Sequence, residues 1–217
     1  MEKTMKSILS RVVVFVLIGL WLAGCIEQKE QKLLIYGERE FVNGDTVYHK
    51  IANFSFVDQD SNVITNETFR DKIYVADFFF TSCRTICPIM KTQMLRVYDS
   101  IQNDPEVLIL SHTIDPEYDT VGLLKDYAEN KLGVKSDKWH FVTGNKDSIF
   151  NIAQTSYLAT AMEDETEPDG RIHSGAFLLI DKDRRIRGRY DGTKEEDINR
   201  LLAEIQILKK EYQSEKK

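Results

Sequence analysis

The run Ile73-Tyr74-Val75-Ala76-Asp77-Phe78-Phe79-Phe80 constrains this chain more than any other stretch. A nearly continuous apolar run of this length is typical of a strand buried on both faces, and such a strand needs a covering layer on each side of its sheet. Cys83, Cys87 and Pro88 follow at once. Pro88 to Gln102 then reads as a helix, because proline is tolerated in a first turn. The pattern continues with a strand over Val107–Ile114, a helix over Thr120–Leu132 with Asp119 as its N-cap, a strand over Trp139–Thr143 and a helix over Asp147–Tyr157. After a polar loop, Glu163–Arg171, a hairpin joins Ala176–Asp181 to Arg185–Tyr190, and an amphipathic helix from Lys194 to about Lys209 closes the fold. Upstream, Asn53–Val57 and Val63–Thr65 flank the turn-rich Asp58-Gln59-Asp60-Ser61-Asn62 and predict another hairpin. Alternating strands and helices specify an α/β domain with a mixed central sheet preceded by a hairpin. A cysteine pair where a buried strand meets a helix makes that domain thioredoxin-like, and open α/β sheets place ligands outside the carboxyl ends of their strands.

The N-terminus reads as a processing signal. Lys3, Lys6 and Arg11 precede an apolar stretch, Val12–Leu20, and Leu22-Ala23-Gly24-Cys25 closes it. The apolar stretch falls short of the roughly 20 residues that span a bilayer. Leu-Ala-Gly-Cys resembles a bacterial lipobox, which implies cleavage before Cys25 and a lipid anchor on that cysteine. The expected organisation is therefore a lipoprotein signal peptide over 1–24, a lipid-anchored tether over 25–46, the folded domain over 47–211 and a charged tail over 212–217. This organisation places the domain in the cell envelope, outside the cytoplasm and held to a membrane. The chain carries a net charge of −6 without a basic cluster in its body, so nucleic acid is not an expected partner.

With Cys25 lipidated, Cys83 and Cys87 are the remaining thiols, in an oxidising compartment. In a helical turn, residues i and i+4 share a face with Cβ atoms about 6 Å apart, so the two are expected to converge at the helix start. There they can bracket a soft metal ion or close as a disulfide. Helix N–H groups and Arg84 are expected to lower a thiol pKa. A purely structural bridge across three residues would constrain little of the unfolded chain. Spacing alone leaves metal binding and disulfide exchange open. Asp77 interrupts the apolar strand six residues before Cys83. Thioredoxins hold an aspartate at the same offset that helps proton transfer, so Asp77 is the candidate proton acceptor in a redox reading, with burial expected to raise its pKa.

Four stretches carry a resemblance, in order along the chain: Phe79-Phe80-Thr81-Ser82-Cys83-Arg84-Thr85-Ile86-Cys87-Pro88; Thr113-Ile114-Asp115-Pro116-Glu117-Tyr118-Asp119-Thr120, leading into Leu124-Lys125-Asp126-Tyr127-Ala128; Trp139-His140-Phe141-Val142-Thr143-Gly144; and Ile172-His173-Ser174-Gly175-Ala176-Phe177. Together they resemble the Sco/SenC family, thioredoxin-fold copper chaperones that help assemble the copper centre of cytochrome c oxidase. The resemblance implies copper held by Cys83, Cys87 and His173. Two thiolates and an imidazole suit Cu(I), and Ser174 and Gly175 are expected to permit close backbone approach. It also implies, as partner, an oxidase subunit with a dinuclear copper site. The same family implies an alternative, a thiol–disulfide oxidoreductase that reduces the oxidase cysteines before metallation through a redox-active Cys83–Cys87 disulfide. A peroxide-reducing relative of the fold is less favoured, for want of a peroxiredoxin-type motif. Arg84 and Thr85 depart from the proline and acidic residue usual in the family, which bears on copper affinity and potential rather than on the ligand set. His49, His112 and His140 read as packed or surface residues, Met90 and Met94 as core filler, and Asp115 and Asp119 as turn and capping residues.

Overall fold

The computed structural model describes residues 32–163, 171–173 and 175–214, without the side chains of 163 and 171–173. The signal segment, Cys25 and the last three residues lie outside the described residues. Strand β1 (Arg39–Val42) pairs with β2 (Asp45–Tyr48), and β3 (Ser55–Asp58) pairs with β4 (Val63–Thr65). The central elements are β5 (Ile73–Phe79), α1 (Cys87–Ile101), β6 (Val107–Thr113), α2 (Val121–Asp126) and β7 (Trp139–Thr143). A π-helical turn, Tyr127–Leu132, extends α2, and Gly133 ends it at φ 69°, a left-handed conformation that glycine adopts without a Cβ clash. After β7 come α3 (Lys146–Asn151) with its own π-helical extension (Ile152–Ser156), the short pair β8 (Ala161–Glu163) and β9 (Arg171–His173), the hairpin β10 (Ala176–Ile180) and β11 (Ile186–Asp191), and finally α4 (Glu195–Ser214).

Seven strands form one mixed sheet in the order β11-β10-β5-β6-β7-β3-β4. The three inner strands β5, β6 and β7 are parallel, and β10 and β3 flank them antiparallel. This is the expected thioredoxin-like arrangement. Side chains alternate across a strand, and β5 divides accordingly. Ile73, Val75 and Phe79 enter the layer shared with α1 and α4, whereas Tyr74, Ala76, Phe78 and Phe80 enter the opposite layer with Phe54, Phe56 and Tyr157. Each fully buried side chain of this size contributes about 1.5–3 kcal/mol, so a strand loaded on both faces anchors the sheet.

Three boundaries differ from expectation for local reasons. Residues 33–36 were expected within the tether over 25–46, yet Tyr36 N–H donates to the Ile186 carbonyl at 2.9 Å and Arg187 holds the Leu33 and Leu34 carbonyls, so this stretch packs on the body. The closing helix, expected to end near Lys209, runs to Ser214, and its last turns are held where Glu211 is buried against Arg187. Helix α2 is capped by Thr120, whose side chain accepts from Leu123 N–H, and Asp119 serves elsewhere.

Candidate thiol and metal site

Strand β5 ends at the parallel sheet's carboxyl edge and delivers the cysteine loop there. Cys83 N–H donates to the Phe80 carbonyl at 3.2 Å, a turn that brings the chain back over the strand end. Cys83 precedes the helix instead of lying on it, so the helical i, i+4 argument does not describe its geometry. Convergence arises from the turn. Cys87 is the first residue of α1, with Pro88 next, where the missing N–H costs no helical bond. Cys83 is half-buried and Cys87 is buried, both as unbridged thiols. Cys83 packs against both layers of the core.

The two thiols hydrogen-bond to each other, and Cys83 Sγ lies 3.6 Å from Thr85 Oγ1. The bond to Cys83 is the main cause that drives the Cys87 thiol far above the usual cysteine range. Burial comes next, and then the charges of Cys83 and Asp77, with only the Phe80 backbone opposing. The expectation of a lowered pKa therefore does not hold at Cys87: desolvation and a neighbouring thiol outweigh the helix terminus. Arg84, expected to help, is exposed.

Asp77 faces the same layer as Cys87 and is 5% exposed. Its register partner across the parallel ladder is Ser111, whose hydroxyl donates to Asp77 Oδ1. Trp139 Nε1–H in turn donates to Ser111 Oγ at 2.8 Å. Asp77, Ser111, Cys87, Met94 and Tyr127 line a cavity of about 20 Å³, room for about one water molecule. Sequence reasoning found Asp77 but missed Ser111 and Trp139, since pairing across strands is not marked in either strand alone.

A second buried carboxylate braces the loop. Asp119 accepts from Thr81 N–H at 3.1 Å and from the hydroxyls of Thr81 and Thr113. Burial raises its pKa against those hydrogen bonds. The Asp115 carbonyl accepts from Tyr118 and Asp119 N–H groups, which is the expected turn. Thr81 is thus tied to the end of β6, two residues from Cys83.

His173 ends β9, where it pairs with Ala161, and its side chain lies outside the described residues. Gly175, two residues on, packs on the cysteine helix: a Cβ built there would lie 3.6 Å from Ile86 Cδ1 and 3.9 Å from Met90 Sδ. These are ordinary contacts, so the approach is close without requiring glycine. The other histidines take structural places. His49 Nε2 meets the Ser156 carbonyl at 2.7 Å, His140 Nδ1 meets Asp58 Oδ2 at 3.2 Å, and His112 is enclosed by Phe54, Phe56, Phe78 and Tyr157.

The chain is similar to known proteins over most of its length. The SCO1/SenC family model matches residues 43–209. The SCO1 protein homolog of Bacillus subtilis (strain 168) is 30% identical over 163 residues, covering 74% of this chain and 83% of that protein. A putative copper-binding protein of Stutzerimonas stutzeri is 27% identical over 159 residues, covering 71% of this chain and 76% of that protein. Among solved structures, BsSco, described as a Sco-family cytochrome c oxidase assembly protein with a disulfide switch, superposes with a TM-score of 0.64 at 29% identity, covering 73% of this chain and 92% of that one.

Proposed function

Because the chain belongs to the SCO1/SenC family, we propose that it binds copper and delivers it to the dinuclear copper site of a cytochrome c oxidase subunit. The observation that carries this reading is the pair of mutually bonded thiols at the sheet's carboxyl edge, one half-buried and one buried. Soft thiolates select Cu(I), and His173, on the segment that reaches the cysteine helix at Gly175, completes the donor set. Binding displaces the thiol protons, so retention strengthens as pH rises. Transfer begins at Cys83, the sulfur a partner thiolate can reach, and ends at Cys87. Anaerobic Cu(I) competition against a chelator tests the ligand set. His173→Ala should weaken retention at least about tenfold while disulfide formation persists, and undiminished retention would remove His173 from the site.

A second reading rests on Asp77 and its cavity beside Cys87. In it the protein reduces a disulfide of the oxidase site before metallation. Cys83 thiolate attacks one partner sulfur and expels the other as a thiolate. Cys87 then gives its proton to Asp77 and attacks Cys83 Sγ, which releases the second partner sulfur. The partner gains two electrons and this chain ends with a Cys83–Cys87 disulfide. The lipobox-like Leu22-Ala23-Gly24-Cys25 supports a lipid anchor at Cys25 and a place in the cell envelope. Among the described residues no helix is long and apolar enough to cross a membrane.

A further inference from the structure

We infer that Met90 is a thioether ligand in the copper site, a soft donor between Cys87 and the segment that carries His173. The inference rests on the copper reading above. Met90 stands three residues after Cys87 on α1, and residues so spaced on a helix are neighbours on one face. It is 2% exposed and lines the same small cavity as Cys87. Its sulfur lies 3.9 Å from the Cβ position of Gly175, a residue two positions after His173. Met90 thus places a sulfur against both the cavity that Cys87 lines and Gly175.

The chemistry gives that sulfur a role distinct from the thiols. A thioether is a soft donor suited to Cu(I) and, unlike a thiol, binds without losing a proton. Met90 therefore holds the ion when one thiolate is leaving and the next has not arrived. Met94, one turn further along α1 and 1% exposed, lines the cavity from within the core and serves as the comparison.

The test uses the purified full-length protein carrying ¹³C-methyl methionine, reduced and titrated anaerobically with Cu(I). The Met90 methyl resonance should move on loading while that of Met94 stays in place. Met90→Leu, which conserves volume, should weaken Cu(I) retention by about tenfold in chelator competition, and Met94→Leu should not. A stationary Met90 resonance overturns the assignment even if the leucine variant does not fold. Parent protein that binds Cu(I), with a Met90→Leu variant that retains it equally, overturns Met90 alone. Parent protein that retains no Cu(I) overturns the copper reading along with it.

Discussion

His112 is a buried imidazole whose ring nitrogens both lack a hydrogen-bond partner of ordinary geometry among the described residues. Aromatic rings enclose it, and burial pushes its pKa down to about 3 from 6.5. Above pH 6.5 the group is neutral folded or unfolded and has no linkage effect. Below that, the unfolded chain binds a proton that the folded chain refuses, so stability falls by about 1.4 kcal/mol per pH unit until near pH 3. Urea unfolding at pH 7 and 4.5 should show this loss as about 2–3 kcal/mol from this residue, and His112→Leu should flatten that part of the profile. An unchanged profile would assign the acid sensitivity to other groups. Asp77→Asn tests a different side chain: it should slow thiol–disulfide exchange and alter its pH profile, whereas identical rates across pH would end its proposed role as proton acceptor. Asp77 was legible because a charge in an apolar strand stands out, but Ser111, its partner, resembles any other small polar residue.

At the scale of elements, Arg187 on β11 ties three parts of the chain together. Its guanidinium meets Asp181 at 3.1 Å and Glu211 of α4 at 2.6 Å, and donates to the Leu33 and Leu34 carbonyls. Removing the cation would leave buried Glu211 without its cation, while Asp181 keeps Arg185 at 2.8 Å, so Arg187→Met should cost about 3 kcal/mol. Hydrogen exchange at the Leu33 and Tyr36 amides should accelerate in the same variant, and unchanged protection would show that the N-terminal strap is held by other contacts. The strap escaped sequence reasoning because Leu33-Leu34-Ile35-Tyr36 is too short to show a period and its bonds go to Arg187 and Ile186, more than a hundred residues away, whereas the β1–β2 pair beside it turns locally at Asn43-Gly44. The seven strands of the main sheet, the α1 boundary and the β3–β4 and β10–β11 hairpins were legible, since alternation and turn residues are local signals, whereas β1, β2, β8 and β9 were not expected. Asp119 was misread for the same reason as the strap. A carboxylate just before a helix looks like a cap, and only the folded chain shows Thr81 and Thr113 turned toward it.

For the whole molecule, the order of motifs along the chain carried the family, which the SCO1/SenC match over residues 43–209 shows, and the sheet brings Cys83 and Cys87 to its carboxyl edge. The lipid anchor remains separable from everything else: mass spectrometry of membrane-extracted protein should find an acylated N-terminal Cys25, and an intact Met1 would refute that expectation. Strands β5 and β6 are paired so that Asp77 meets Ser111 and Phe78 meets His112. Shifting β6 by a single position would put an imidazole beneath the sulfurs and a hydroxyl among the aromatic rings, and every neighbour on both faces would be mismatched. Misalignment of these two strands would therefore disable the chemistry and the packing together, so no well-packed but inactive isomer of this sheet is available to the chain.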